Sequence, residues 1–289
     1  MTDPIPAVVL DHVAVAVERW PDAWPRYAVE LGGSWSSGGL NVGFGPAQLR
    51  FANGARVEIL QPWQAESNPF LRRFLDRHGP GPHHLTFKVP DLRAAIDRAR
   101  QAGFSPVGID LSHEEWMEAF LHPREATGIV VQLAQAAHGW ESPAPEGFPT
   151  ARRTPPAALL RVTHAVADLG AGLALFAGLL GGRTRAQGAA TDGSWEYVEL
   201  EWGGPLAVRL VAPAGAAPGT GGRALAAWLG RLPGRLHHLV FAVPASGAHE
   251  EGEATTVPGL LADEGPAREV APQDNLGTRL VLVDAPGAP

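Results

Sequence analysis

Two stretches of nearly the same wording place paired histidines at the head of a strand-like run: "GPGPHHLTFKVPDL" at 79–92 and "LPGRLHHLVFAVPA" at 232–245. In an extended segment alternate side chains share a face. His84 then stands with Thr86 and Lys88, while Leu85, Phe87 and Val89 take the other side. In "DHVAVAV" His12 shares its face with Ala14 and Ala16, opposite Val13, Val15 and Val17. Both histidines project from small or polar faces that have an apolar face behind them, as a ligand-lined hollow backed by core requires. His83 points the other way and reads as structural. The chain has no cysteine, so thiolate sites, thiol nucleophiles and disulfides are excluded. Any metal must be held by His, Glu, Asp or Gln. Taken singly, a strand histidine is more often a hydrogen-bonded structural residue than a ligand.

The elements that position these histidines occur twice. "VVLDHVAVAVERW" (8–20) is answered by "LLRVTHAVADLGAG" (159–172), and "ARVEILQP" (55–62) by "LAVRLVAP" (206–213). His12 and His84 are 72 residues apart, and His164 and His238 are 74, so the repeat is a fold-sized unit. With 289 residues the chain accommodates two such domains. We place them at 7–137 and 158–286, joined by a Pro-rich linker at 138–157, "HGWESPAPEGFPTARRTPPA". Within the first copy, strands are expected at 8–17, 33–44, 47–53 and 55–62, with a helix at 25–31. The order then restarts after a short helix at 69–78, with a strand at 83–89. A helix at 91–102 follows, capped by Asp91 and stopped by Gly103, then strands at 105–111, 117–122 and 129–135. This is βαβββ, twice per copy. Strands and helices mix without strict βαβ alternation, so the class is α+β.

Composition narrows the partners. Formal net charge is −7 and no dense basic cluster occurs, which argues against nucleic acid. The N-terminus lacks the basic and apolar regions of a signal peptide, and no run approaches the ~20 apolar residues of a membrane span. Cytoplasmic residence, a small-molecule substrate and a monomer or homodimer are the expectations, with no membrane partner.

The chain resembles the vicinal oxygen chelate superfamily, which includes glyoxalase I, methylmalonyl-CoA epimerase and extradiol dioxygenases. The carriers are "LDHVAVAV", "VEILQPWQAESNPFLRRFLDRHGPGPHHLTFKV" and "EAFLHPREATGIVVQLAQ", which are most similar to methylmalonyl-CoA epimerases. The resemblance covers 7–137 well and 158–286 more loosely, with the pattern blurring between Ala245 and Arg268. It implies tandem domains in which paired βαβββ modules curl into an open, cup-shaped sheet. It also implies a divalent metal on four strands, at His12, Glu58, His84 and Gln132. Two imidazoles, a carboxylate and an amide oxygen suit Fe, Mn, Co, Ni or Zn. The family's last ligand is usually glutamate. Gln132 can coordinate but has no useful proton affinity, so a mechanism with a base on each face of the substrate is in doubt. Glu58 is then the one carboxylate expected at the ion, and His113 or Glu118 could reach the hollow from neighbouring strands. Glu58, Gln132 and His113 are the catalytic candidates.

In the second copy His164 and His238 persist, but the Glu58 position becomes Arg209 and the Gln132 position falls at about Leu282. A guanidinium cannot ligate and repels a cation, so this copy is expected to be degenerate, with Arg209 available to an anionic group. Of the nine tryptophans, Trp63 and Trp116 could line the first hollow. Three functions follow. One is a metal-dependent isomerase, epimerase or lyase working on a small carbonyl or acyl substrate through a stabilised enolate. A second is an Fe(II) dioxygenase of extradiol type. The third is a non-enzymatic drug-binding protein of the bleomycin-resistance type.

Overall fold

The computed structural model describes residues 8–137, 139, 141–215, 219–244 and 267–285. The expected module order is observed in the first half. Strand β1 (Val9–Ala16) leads into helix α1 (Trp20–Ala23), then β2 (Ser34–Gly38), β3 (Gly43–Arg50) and β4 (Arg56–Trp63). After α2 (Phe70–His78) come β5 (Gly81–Lys88), α3 (Leu92–Gln101), β6 (Val107–Asp110), β7 (Trp116–Leu121) and β8 (Val130–Ala136). These eight strands form one mixed sheet in the order β2-β3-β4-β1-β5-β8-β7-β6.

The second half repeats the plan with β9 (Ala158–Val166), α4 (Leu169–Leu173), β10 (Arg183–Ala189), β11 (Trp195–Glu201), β12 (Ala207–Pro213), α5 (Thr220–Leu229) and β13 (Gly234–Val243). Strands β14 (Ala267–Val270) and β15 (Leu280–Asp284) complete it, and its sheet runs β10-β11-β12-β9-β13-β15-β14. The blurred stretch between Ala245 and Arg268 lies almost wholly outside the described residues. The architecture is α+β: two open sheets, one per half, of eight and seven described strands.

Local chemistry explains the boundaries. Asp91 caps α3 by accepting from the Ala94 amide at 3.0 Å, and Leu92, Ala95, Ile96 and Ala99 form its buried stripe. The helix expected at 25–31 begins earlier, at Trp20, and continues as a wide turn over Trp24–Glu30. Pro25 has no amide proton to give an ordinary helical ladder, and the Leu31 amide reaches back five residues to Arg26 O at 3.0 Å. The single strand expected at 33–44 is broken by a reversal, where Asn41 and Phe44 exchange backbone hydrogen bonds of 2.8 and 3.2 Å. This turns β2 against β3 as a hairpin.

Packing groups the chain into two compact units, each holding a module from either half. In one, His84–Gly139 packs with Val162–His237: Phe87 meets Trp202 edge-on at 5.0 Å, and a Cβ on Gly128 would lie 1.7 Å from Gly234 O. Only glycine permits that approach. In the other, His12–His83 packs with Trp140–Arg161 and the segment from His238: Phe51 meets Phe241 at 5.0 Å, and the Asn275 amide donates to Tyr27 Oη at 3.1 Å.

Candidate metal centre

His12, on β1, and Glu58, on β4, are brought together by parallel pairing in which Ala14 faces Glu58 and His12 faces Arg56. His12 Nε2 lies 3.5 Å from Glu58 Oε2. Two neighbouring donors on an ion with ~2.1 Å bonds stand roughly 3.4 Å apart in tetrahedral geometry, so this pair is spaced as ligands are. His84, on β5, completes the cluster: one ligand atom from each of His12, Glu58 and His84 lies within 4.8 Å of the others. All three are buried, at 1%, 8% and 5% exposure. Two borderline nitrogen donors with one hard anionic oxygen fit a divalent first-row ion.

Gln132 is likewise buried, but its amide is already engaged. Its Oε1 accepts from Thr86 Oγ1 at 2.6 Å, and its Nε2 donates to Glu118 Oε2 at 2.7 Å. Glu118 also accepts from Trp116 Nε1 at 2.8 Å. The carboxylate fixes which end of the amide is nitrogen, which leaves the oxygen with Thr86 and one further lone pair. In the strand register Gln132 faces Thr86, and His84 faces Val130. His113 is exposed on the turn before β7, outside the three-residue cluster. Trp63 is 43% exposed at the end of β4, whereas Trp116 serves Glu118.

Gln48 was not anticipated. It lies opposite Glu58 in the β3–β4 hairpin, donates from Nε2 to Glu58 Oε1 at 3.2 Å, and approaches His12 Nδ1 at 3.5 Å. The signal was present in part: Asn53-Gly54 marks the turn, and with Gly54 at φ +85° ending a three-residue loop over 52–54, counting outward pairs Arg50 with Arg56 and Gln48 with Glu58.

Two features close the hollow. Helix α2 lies on the ligand face itself, with Leu71 and Leu75 packed on Ala14, Ala16 and Leu60, and Phe44, Phe70 and Phe74 around them. The small alanines beside His12 make room for that helix, so an uncovered ligand face is not what forms. His83, expected to face away, packs on that same helix, against Phe74 at 4.7 Å and Phe70 at 6.1 Å; burial holds its pKa down at about 4 against the opposing pull of the Glu58 carboxylate. Two cavities lie elsewhere, one at Arg50, Arg152 and Arg153 and another at Arg26, Arg268 and Asp274.

The second sheet keeps the two histidines, His164 and His238, and replaces the two oxygen donors. Arg209 takes the Glu58 position, and the residue facing it, Glu199, takes that of Gln48. Arg209 Nη2 and Arg185 Nε grip the buried Glu199 carboxylate at 3.0 and 3.2 Å, and Arg209 stacks on Tyr197 at 4.6 Å. Its anionic partner is therefore internal. Where Thr86 faces Gln132, Val240 faces Val281, and both valines are core. Register thus moves the counterpart of Gln132 from Leu282 to Val281.

His164 is wholly buried and its Nε2–H donates to Thr127 O at 2.8 Å. Burial pushes its pKa down to about 4, against the opposing pull of that carbonyl. A histidine depressed from its unfolded value of 6.5 leaves the native state short of a proton that the unfolded chain binds. Stability is therefore complete above pH ~6.5 and declines by about 3 kcal/mol as pH falls to about 4. Urea unfolding of wild type and His164→Leu at pH 7.5, 5.5 and 4.5 checks this. The variant is weaker throughout but loses that part of the slope; parallel pH profiles would refute it.

Comparisons with known proteins add independent findings. Residues 11–120 match the family described as Glyoxalase/Bleomycin resistance protein/Dioxygenase superfamily. The chain is 31% identical over 134 residues to an ethylmalonyl-CoA/methylmalonyl-CoA epimerase of Cereibacter sphaeroides, covering 44% of this chain and 96% of that protein. A methylmalonyl-CoA epimerase structure from Mycobacterium tuberculosis aligns at 28% identity and a TM-score of 0.42, over 48% of this chain and 94% of that one. A mutant 4-hydroxymandelate synthase from Streptomyces coelicolor aligns at 19% identity and a TM-score of 0.59, over 83% of this chain and 72% of that one. The last shows that the fold likeness extends across both halves.

Proposed function

The chain belongs to the glyoxalase/bleomycin resistance protein/dioxygenase superfamily, and from that premise we propose that the first domain, taken as 7–137, is a divalent-metal-dependent isomerase, epimerase or lyase. Its substrate class is a small carbonyl or acyl compound, with an acyl-CoA ester favoured by the epimerase relative. The observation that carries this reading is the convergence of His12, Glu58 and His84 within 4.8 Å. These residues would hold Fe, Mn, Co, Ni or Zn, with the remaining lone pair of the Gln132 oxygen as a fourth donor. Bound there, the ion would act as a Lewis acid on a substrate oxygen and stabilise the charge that develops as a proton leaves the neighbouring carbon.

The chain's own residues divide the remaining work. Gln48 steadies Glu58 by hydrogen bonding and cannot take a proton, and neither can Gln132. Proton acceptance falls to Glu58 and to Glu118, which accepts from Gln132 Nε2 and is, of the two expected neighbours Glu118 and His113, the one beside the hollow. Helix α2 excludes water from the ligand face, which strengthens every electrostatic interaction there.

The test uses methylmalonyl-CoA or ethylmalonyl-CoA in deuterated water, with each of the five metals in turn. Deuterium enters carbon 2 with at least one metal, and EDTA or Glu58→Ala abolishes the exchange. No exchange with any metal, in a chain that is folded and loaded, would reject the reading. One observation favours a second reading: two histidines and one carboxylate are the donor set of non-haem Fe(II) oxygenases. Dioxygen uptake by the Fe(II)-loaded protein with a catecholic substrate, and no uptake with Zn, would decide for it. A chain that binds no metal and is indifferent to Glu58→Ala would instead be a binding protein.

A further inference from the structure

The linker does more than join two halves. Its backbone is hydrogen-bonded onto the first module: Arg153 N donates to Val29 O at 2.8 Å, Ala157 N to Leu31 O at 2.9 Å, and Ala52 N to Ala157 O at 2.9 Å. Gly32 has φ +75°, and a Cβ there would stand 2.8 Å from Arg153 O, so the linker can lie this close only over glycine. Between linker and sheet lies a solvent-open cavity of about 260 Å³.

Its walls are one-sided in charge. Arg50, from the end of β3, lines it together with Arg152 and Arg153 of the linker, the hydroxyls of Thr150 and Thr154, and Ser34, whose Oγ donates to Arg50 O at 3.2 Å; no lining residue is acidic. Arg50 Nη2 donates to Ser36 Oγ at 3.3 Å and pairs loosely, at 3.9 Å, with the carboxylate of the exposed Glu141. Arg153 spends one Nη2 proton on Pro244 O at 2.8 Å, and Arg152 rests over the Phe148 ring at 5.6 Å. Three arginines thus line one cavity, in a chain of net charge −7, where like charges gain nothing from sharing it unless an anion joins them.

We propose that this cavity is a binding site for a phosphate-class anion. Guanidinium forks match phosphate oxygens two at a time, hydroxyls supply further donors, and the hydrogen-bonded linker holds the cations in place before binding. The volume exceeds that of a phosphate alone and admits a linked group. The site is separate from the metal cluster and does not depend on it. The phosphate can come from a free phosphoanion or from a larger phosphorylated ligand.

Calorimetry on the full chain decides, with pyrophosphate, coenzyme A and dephospho-coenzyme A as probes, repeated on Arg50→Ala and Arg152→Ala. Arg152 is exposed, so its variant folds whatever happens at Arg50. Saturable pyrophosphate binding that weakens about tenfold or more in each variant, and weakens with added salt, is the expected result. A preference for coenzyme A over dephospho-coenzyme A that vanishes in Arg152→Ala assigns the site to a phosphorylated ligand. Binding of both coenzymes no tighter than that of pyrophosphate, with pyrophosphate binding still lost in the variants, assigns it to a free phosphoanion. Absence of saturable pyrophosphate binding, or binding untouched by both substitutions, overturns the proposal.

Discussion

Glu58→Gln is expected to weaken metal binding by more than about 100-fold while leaving the fold in place. The substitution keeps the shape and removes the one anionic donor of the His12–Glu58–His84 cluster. Groups that merely orient a ligand are commonly worth ~10–100-fold in affinity, so a ligand that also carries the balancing charge must be worth more. Gln48→Ala provides the scale: it removes a 3.2 Å hydrogen bond to Glu58 and should cost about tenfold. Competition against a calibrated chelator measures both, with circular dichroism confirming the fold. Equal affinities in wild type and Glu58→Gln would show that the carboxylate is no ligand.

The second large effect is on stability. Arg209→Ala should cost about 3 kcal/mol, because it strips one of two guanidinium groups from the Glu199 carboxylate, whose side chain is only 3% exposed. Arg185 remains at 3.2 Å but is itself 56% exposed and cannot follow the charge inward. Replacing both partners, as Arg209→Met with Glu199→Leu, should recover most of the loss, since an apolar pair satisfies the same space without a stranded charge. Urea unfolding checks both variants, and metal content should not change in either. A cost below about 1 kcal/mol for Arg209→Ala would mean that Glu199 is held by other means.

The behaviour of these two sheets was legible in the sequence to different depths. Alternation in "DHVAVAV" and "HHLTFKV" separated His12 and His84 from their apolar neighbours, and the repeat gave the two sheets, because a strand's face is a local property with a period of two. Whatever depends on pairing between strands was harder to read. Gln48 acquires meaning only when the Asn53-Gly54 hairpin sets it opposite Glu58. A slip of one residue in the β13–β15 register separates the expected Leu282 from the observed Val281, and that slip exchanges one face for the other.

Helix placement was harder still. The alanines beside His12 signalled an uncovered ligand face, yet small residues serve equally to seat a helix, and α2 occupies that space. Burial of all three donors follows from this packing and could not be read from any single strand. The basic cavity escaped for a similar reason: Arg50 lies about a hundred residues from Arg152 and Arg153, and only the folded linker unites them.

Anomalous diffraction from crystals of the metal-loaded chain puts the central claim to its most direct trial. The account predicts a single strong peak bonded at about 2.0–2.3 Å to a nitrogen of His12, a nitrogen of His84 and a carboxylate oxygen of Glu58, and none at His164 or His238. A peak bound by other residues, or no peak between those three side chains in a saturated crystal, would contradict it.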